Sequence, residues 1–564
     1  MGTLKSSYCS GISKQSLLGH TIGQQLDITS TRFPEDTAII SKHQEFQATW
    51  SELRLLVDEF AAGLLGLGLD RGERIGIWSP NNLEWTVVQF AAAKAGLILV
   101  NINPAYRISE LEYALKKVQC KALVTAEYFK STNYIKMLYD LIPELETSEI
   151  GKLKSKIFPN LNLIIRLGTD ESPGMLNYSR VPVYGSSLEK SKLKELSSKI
   201  QFDDPVNIQF TSGTTGYPKG ATLTHHNILN NGYFNGQTLG ISNEDKVCIP
   251  VPLYHCFGMV MGNLMCLAFG ATMVYPSAGF EPREVLKTIN EEKCTILYGV
   301  PTMFIAELDH PDFKTFDLSS LRSGTMAGST CPIEIMKRVM VDMNMEGVTI
   351  AYGMTETSPV SFQSSLDDSV DKRVSTVGRV HPHVEVKVVD DDGAIVPIGV
   401  TGELLTRGYS VMLGYWDDTE KTEEAVDSNG WMHTGDLATI DIDGYCRIVG
   451  RSKDMVIRGG ENIYPREIEE FFFRNSKIKD VQVIGVPDER YGEELCVWIK
   501  LHDGENSNST EMRSFCEGKI AHFKIPRYVE FVDSFPMTVT GKIQKYKMRE
   551  IMIKKLDNLS DSSD

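Results

Sequence analysis

Residues Thr211 to Gly220 read TSGTTGYPKG, a run of glycines and hydroxyl side chains with a single lysine. Gly213, Gly216 and Gly220 let backbone N–H groups turn toward an anion where a Cβ would obstruct. Thr211, Ser212, Thr214 and Thr215 add short donors, and Lys219 adds a full positive charge. A stretch of this make-up is built to hold phosphate. It is not a Walker A loop, which needs Gly-Lys followed by Ser or Thr at the opening of a helix. Lys219 instead lies between Pro218 and Gly220, and the alternation at Ala221 and Leu223 predicts a strand. Thr224 is the predicted N-cap of the helix that follows, HHNILNN.

Other residues suited to chemistry are spread along the chain. Thr355 and Glu356 lie in YGMTET, Asp436 in WMHTGD, Arg451 in GRSKD and Lys542 in TVTGKIQK. Taken singly, each is ordinary. TGD is a common turn, an acid in TET can be solvated, and Lys542 stands near a basic end with Lys545, Lys547 and Arg549.

Taken in order, the pieces resemble one family. TSGTTGYPKG, YGMTET (Tyr352–Thr357), GELLTRGYSVMLGYW (Gly402–Trp416), TGD (Thr434–Asp436), GRSKDMVIRGGENIYPREIE (Gly450–Glu469) and GKIQKYKMR (Gly541–Arg549) are similar to the signatures of the adenylate-forming superfamily. That superfamily comprises acyl-CoA synthetases, aryl-CoA ligases, luciferases and peptide-synthetase adenylation domains. The resemblance runs from about Thr21 to Met552, and PLYHCFG, YGVPTMF and HFKIPRYVEF are most similar to its medium-chain fatty acyl-CoA ligase branch.

The resemblance implies a two-step ligase. A fatty acid and ATP give acyl-AMP and pyrophosphate, and CoA then displaces AMP, with Mg²⁺ as cofactor. Two anions must meet in the first step, so their charge has to be neutralised before in-line attack. The resemblance implies that ATP is held by Thr211, Ser212, Gly213, Thr214, Thr215, Gly216, Tyr217, Pro218 and Lys219. It places Tyr352 on the adenine beside Ala327-Gly328-Ser329, and Asp436 and Arg451 on the ribose. Thr355 donates to phosphate, Glu356 holds Mg²⁺, and Lys542 bridges the carboxylate and the phosphates. Lys453 takes the hinge position, with Arg458, Gly459 and Gly460 along the CoA arm and His255, Phe257 and Gly353 on the acyl pocket. An aryl-CoA ligase or a luciferase-like monooxygenase shares these motifs and stays open at this point. A nucleotide-binding module without turnover fits less well, because Lys219, Glu356, Asp436, Arg451 and Lys542 are all present.

Composition sets the frame around these residues. A chain of 564 residues is too long for one core, and 42% hydrophobic with 23% charged residues is the balance of a globular enzyme. The net charge of −16 argues against nucleic acid as a partner and leaves anionic substrates to local donors. Ten cysteines without a Cys-x-x-Cys pair are read as small core hydrophobes in a reducing compartment. The most apolar run, Met259–Tyr275, is too short for a bilayer span and is predicted to be a buried helix leading into a strand. Residues 1–26 carry two lysines and no acid, a composition like that of a mitochondrial targeting segment but lacking its usual arginine. Cytoplasmic residence is the alternative. Met1-Gly2 with Ser6 also fits a myristoylation pattern.

The elements that must position the site are α/β. Thr49 with Glu52 forms a predicted capping box. Strands at RIGIWSP (Arg74–Pro80) and LILVNINP alternate with helices at Leu83–Ala95 and at EYALKKV, the latter capped by Ser109, and Lys121–Thr125 reads as the next strand. A solvated helix or a coil is expected at Leu188–Ser197, and an antiparallel β subdomain at Val384–Gly414. The expected fold is a large N-terminal domain of mixed, mostly parallel sheets sandwiched by helices, with that small β subdomain and a small mobile α+β C-terminal domain. The expected division is a loose N-terminus over 1–20, an AMP-binding domain over 21–450, a mobile domain over 451–555 and a disordered tail over 556–564.

Overall fold

The computed structural model describes residues 5–211, 218–329, 331–459, 461–488, 490–538 and 541–561. Two large sheets form its body. In the eight-stranded sheet, strands Leu176–Asn177, Leu163–Arg166, Ala122–Thr125, Arg74–Trp78, Ile98–Asn101 and Pro205–Thr211 run parallel in that spatial order. Lys219–Thr224 and Gly414–Tyr415 then add antiparallel at one edge. The nine-stranded sheet has a parallel centre running from Thr37–Ser41 to Gly347–Gly353, with antiparallel strands at both edges. A five-stranded antiparallel sheet carries Val384–Val389, Gly402–Gly408, Met432–Ile440 and Cys446–Arg451.

Local chemistry explains why these elements form where they do. Asn82 accepts from the Trp85 amide at 2.8 Å to start the helix Leu83–Ala95, and Gly96, at φ +71°, ends it. The Thr49–Glu52 capping box and the Thr224 cap are both present. Ser109 is not a cap. The helix Ile108–Val118 starts one residue before it, and the Glu110 carboxylate satisfies the Arg107 amide at 2.9 Å instead. Residues 187–199 resolve the helix-or-coil alternative as a helix, capped by Ser186.

Two ends of the chain are more ordered than their composition suggests. Tyr8–Ser10 forms a strand antiparallel to Val384–Val389, and Ser7 is fully buried with its hydroxyl donating to Pro397 O at 2.9 Å. An edge strand needs only a free row of N–H and C=O groups, which composition does not reveal. At the other end, the helix Lys545–Asp561 carries the backbone through part of the stretch expected to be disordered.

Beyond Arg451 the chain enters a separate sheet built from Val456–Arg458, Glu461–Ile463, Ile478–Asp488, Gly492–Leu501 and Tyr528–Phe531. It has its own core, including Ile468, Phe472, Val483, Val497 and Met512. Ser452–Asp454, one 3-10 turn, links the two bodies. Nine of the ten cysteines are buried, all as free thiols, and among the described residues no helix is long and apolar enough to cross a membrane.

One core residue is out of place. Glu307, on the helix Pro301–Leu308, is 1% exposed, and neither carboxyl oxygen has a hydrogen-bond partner among the described residues. Burial raises its pKa well above the usual carboxylate value. Raising a folded-state carboxyl pKa costs stability as pH rises. The unfolded chain begins to ionise near the ordinary value while the folded chain stays protonated, so stability falls by about 1.4 kcal/mol per pH unit across that window. Glu307→Met removes the ionisable group at similar volume. Its melting temperature should exceed that of the unsubstituted protein by a margin that widens from pH 5 to pH 7.5; a margin independent of pH would contradict a buried, protonated acid.

Candidate active site

The strands Pro205–Thr211 and Lys219–Thr224 pair antiparallel, with Thr211 directly opposite Lys219. This pins the two ends of the glycine-rich stretch together. Ser212, Gly213, Thr214, Thr215, Gly216 and Tyr217 lie outside the described residues, as does Gly460. At the mouth of the hairpin, Thr211 Oγ1 donates to Glu356 Oε1 at 3.0 Å. Tyr415 OH donates to the same oxygen at 2.9 Å, and the Lys219 ammonium lies 4.1 Å from the centre of the Tyr415 ring. Tyr415 reaches this place because its strand pairs with Lys219–Thr224, Tyr415 facing Ala221. Burial first, and the Glu356 charge second, keep its phenol protonated. Tyr415 was not singled out from the sequence, although it lies within the quoted GELLTRGYSVMLGYW.

Glu356 sits on the turn Thr355–Thr357, just past the end of the strand Gly347–Gly353, and is 5% exposed. Ligand crevices of α/β sheets lie beyond such carboxyl ends. Thr355 is buried beside it, and Met412 N donates to Glu356 O at 2.9 Å. Gly353 has a packing reason to be glycine, since a Cβ there would lie 1.7 Å from Pro359 O.

The second half of the site is a hairpin of the five-stranded sheet. Asp436 and Arg451 face each other across it, with Arg451 Nε 3.0 Å from Asp436 Oδ1. Tyr352 OH donates to Asp436 Oδ2 at 2.5 Å, joining this hairpin to the nine-stranded sheet. The TGD sequence has a local cause. Thr434 Oγ1 donates to Leu404 O at 2.6 Å and accepts from Asp436 N at 3.1 Å, while Gly435 adopts φ +68°. Each carboxylate oxygen of Asp436 keeps a lone pair beyond its one described partner, which leaves capacity for a pair of hydroxyls.

Lys542 enters from the C-terminal body. Its loop closes with Gly541 N donating to Thr538 O at 3.0 Å and Thr538 N to Lys542 O at 2.8 Å. Gly541 has φ +78°, and a Cβ there would lie 2.9 Å from Thr302 Oγ1, so the loop rests directly on the start of the helix Pro301–Leu308. Lys542 Cε stands 3.9 Å from the position of a Cβ on Gly328. Burial first and the Arg451 guanidinium second lower the Lys542 pKa, while Glu356, Cys256 and Asp436 oppose the shift. These charges act on Lys542 from both halves of the site.

His255 borders the same space. Burial, then the Lys542 charge, lowers its pKa to about 3, so the imidazole is neutral. Phe257 N donates to its Nδ1 at 3.2 Å, which assigns the ring proton to Nε2. Phe257 opens a π-helical stretch, Phe257–Leu264, with its ring 5.5 Å from that of Tyr298. Cys256 Sγ donates to Gln209 Oε1 at 3.2 Å.

Three sequence-predicted residues lie elsewhere. Lys453 is on the linking turn, its pKa lowered by burial and then by Arg451. Arg458 pairs with Glu494 at 2.7 Å and stacks 4.4 Å over Tyr491, and Gly459 N donates to Tyr491 O at 2.8 Å. The described partners of Arg458 and Gly459 thus belong to the C-terminal body itself. Residues 26–416 match the family model for the AMP-binding enzyme, and residues 467–542 match that for the AMP-binding enzyme C-terminal domain. The chain belongs to the AMP-binding enzyme family. This AMP-binding enzyme is 48% identical over 557 residues to the Danio rerio protein named medium-chain acyl-CoA ligase ACSF2, mitochondrial, covering 98% of this chain and 92% of that one. It is 47% identical to the putative acyl-CoA synthetase YngI of Bacillus subtilis, covering 97% and 99%. Its fold superposes on the crystal structure of the anthranilate CoA ligase AuaEII in complex with anthranoyl-AMP with a TM-score of 0.84, at 26% identity over 95% and 97% of the two chains. The adenylate-forming resemblance and the α/β architecture expected of it are thereby established.

Proposed function

We propose that this AMP-binding enzyme is an AMP-forming fatty acyl-CoA ligase with a preference for medium-chain acids. One observation carries the reading: the loop of Lys542, at the far end of the chain, rests on Thr302 and brings Lys542 Cε beside Gly328, within range of the charges of Glu356, Arg451 and Asp436. In the first step a carboxylate oxygen bonds to the α-phosphorus as the bond to pyrophosphate breaks. Asp436 accepts the ribose hydroxyls, and Arg451 orients Asp436. Lys219 and the glycine-rich stretch hold phosphate oxygens. Lys542 offsets the charge of carboxylate and phosphate as they approach. Neutral His255 and Phe257 border the acid without adding a charge.

Glu356 suits Mg²⁺. Thr211 and Tyr415 fix its carboxylate through a single oxygen, and no group of three or more His, Cys, Asp or Glu among the described residues could hold a metal alone. One carboxylate completed by phosphate oxygens and water is a common magnesium arrangement. Bound there, the ion supplies charge neutralisation at the phosphates.

In the second step the CoA sulfur bonds to the acyl carbon, the bond to AMP breaks, and the thiol proton leaves. The thiol must approach the centre that the Lys542 loop overlies, so the C-terminal body turns on Lys453 and carries Arg458 and Gly459 toward CoA. Lys453→Pro holds φ near −65°, a value its 3-10 turn already tolerates. Adenylation should persist while thioester formation slows by about tenfold or more; unchanged thioester rates would remove the pivot role.

The direct test of function is CoA-dependent pyrophosphate release across straight-chain acids, with an aryl acid as control. A maximum at intermediate chain length is expected, and a maximum with the aryl acid would overturn the substrate assignment. Mitochondrial residence follows the name of the Danio rerio relative, whereas the similar Bacillus subtilis protein comes from a bacterium. Imaging the full chain fused at its C-terminus to a fluorescent protein tests it, and a diffuse cytosolic signal would refute it.

A further inference from the structure

The helix Pro301–Leu308 touches the C-terminal body at both ends. At its start, Thr302 and Val300 abut Gly541 of the Lys542 loop. Just past its end, Asp309 binds Lys479 at 2.8 Å, an ion pair that crosses between the two bodies. The two contacts are about 10 Å apart along the helix axis.

Asp309 is an unusual choice for that position. It is the C-cap residue, and the negative end of the helix dipole disfavours an acid there. Its cation from the other body therefore matters more than for a typical surface acid. The pair is also partly shielded, with side-chain exposures of 23% for Asp309 and 20% for Lys479. Arg338, on the same body as Asp309, lies 3.5 Å away and also reaches Asp342 at 3.7 Å. When the C-terminal body leaves, Asp309 keeps Arg338 as a partner, so separation strands no buried charge. Such a contact can be made and broken repeatedly.

Hydrogen bonds between one charged side chain and the backbone accompany it. Arg466 Nη1 donates to Ile448 O at 2.9 Å, and the Glu470 carboxylate accepts from the Ile333 amide. These set the docking angle. Asp309–Lys479 adds a contact in which both partners are charged, at the end of the helix remote from the reacting centre.

The geometry points to Asp309 and Lys479 as positioning residues, an orientation latch that holds the C-terminal body with Lys542 in the site. This inference rests on the ligase reading above. Neither side chain is assigned to touch substrate. They act through the population of one orientation, favouring the adenylate step over the thioester step.

The test uses the full chain with Asp309→Asn, Lys479→Gln and the double variant. Exchange of labelled pyrophosphate into ATP with a fatty acid should fall about three- to tenfold in either single variant. Thioester formation from supplied acyl-AMP should be unchanged or faster. The double variant should match the singles and not multiply their effects, because the two side chains form one contact. Equal losses in both half-reactions, no change in either, or multiplicative losses would each overturn the latch. A second readout does not depend on turnover: spin labels at Val341, 79% exposed, and Ile551, 50% exposed, report the spacing of the two bodies. Asp309→Asn should broaden or shift that distance, and an unchanged distribution would refute the latch. Absence of pyrophosphate exchange in the unsubstituted protein would instead count against the ligase reading, and the label distances would still decide the latch.

Discussion

Lys542→Ala should lower acyl-adenylate formation by about 10²–10³ or more, the range for loss of one group that stabilises transition-state charge. Thioester formation from supplied acyl-AMP should be largely retained if, as proposed above, the C-terminal body turns away for that step. The expectation rests on placement. A glycine-supported turn carries the lysine against Gly328, where the Arg451 charge repels it and the Glu356 and Asp436 charges attract it. Burial and Arg451 hold its pKa below the usual lysine value, so the rate of adenylation should decline on the alkaline side earlier than for an ordinary lysine. Lys542→Arg separates charge from shape. It keeps the cation but offers a planar fork in place of a compact ammonium, and should recover only part of the activity. Equal losses in both half-reactions would mean that the substitution disturbs the C-terminal body as a whole.

What could be read without coordinates divides by how local its cause is. The Thr49–Glu52 and Thr224 caps were legible because donor and acceptor lie three residues apart. The strand character of Lys219–Thr224 followed from alternation alone. Asp436 and Arg451 were assigned by resemblance, and the hairpin that puts them face to face emerges only from strand pairing. Tyr415 escaped notice because its role depends on lying across from Ala221, nearly two hundred positions earlier in the chain. Tyr491, which carries both Arg458 and Gly459, escaped for the same reason. The N-terminal strand is the clearest failure of composition as a guide. Tyr8 finds its hydroxyl partner in Glu385, 377 positions away. Asp309 and Lys479 carry no motif, and only the docking of two bodies brings them together.

Glu356→Gln should reduce adenylation by about 10²-fold or more and raise the Mg²⁺ concentration needed for half-maximal rate. The substitution is conservative in shape. Glu356 Oε1 accepts from Thr211 Oγ1 and Tyr415 OH, and a glutamine carbonyl oxygen can accept from both, so the turn Thr355–Thr357 should persist. What changes is the charge, together with one oxygen that becomes an N–H donor and can no longer bind a cation. Tyr415→Phe provides the control. It removes one hydroxyl from Oε1 and the cation–π partner's polar tip from beneath Lys219, but leaves the carboxylate charged. Its loss should be about tenfold, the low end for one hydrogen bond to a charged group, because Thr211 still donates to the same oxygen. If Glu356→Gln and Tyr415→Phe lose activity to the same extent, with the same Mg²⁺ dependence as the unsubstituted enzyme, the carboxylate is positioning the glycine-rich stretch and not binding the metal. A larger loss in Glu356→Gln, relieved in part by excess Mg²⁺, assigns the charge to the ion.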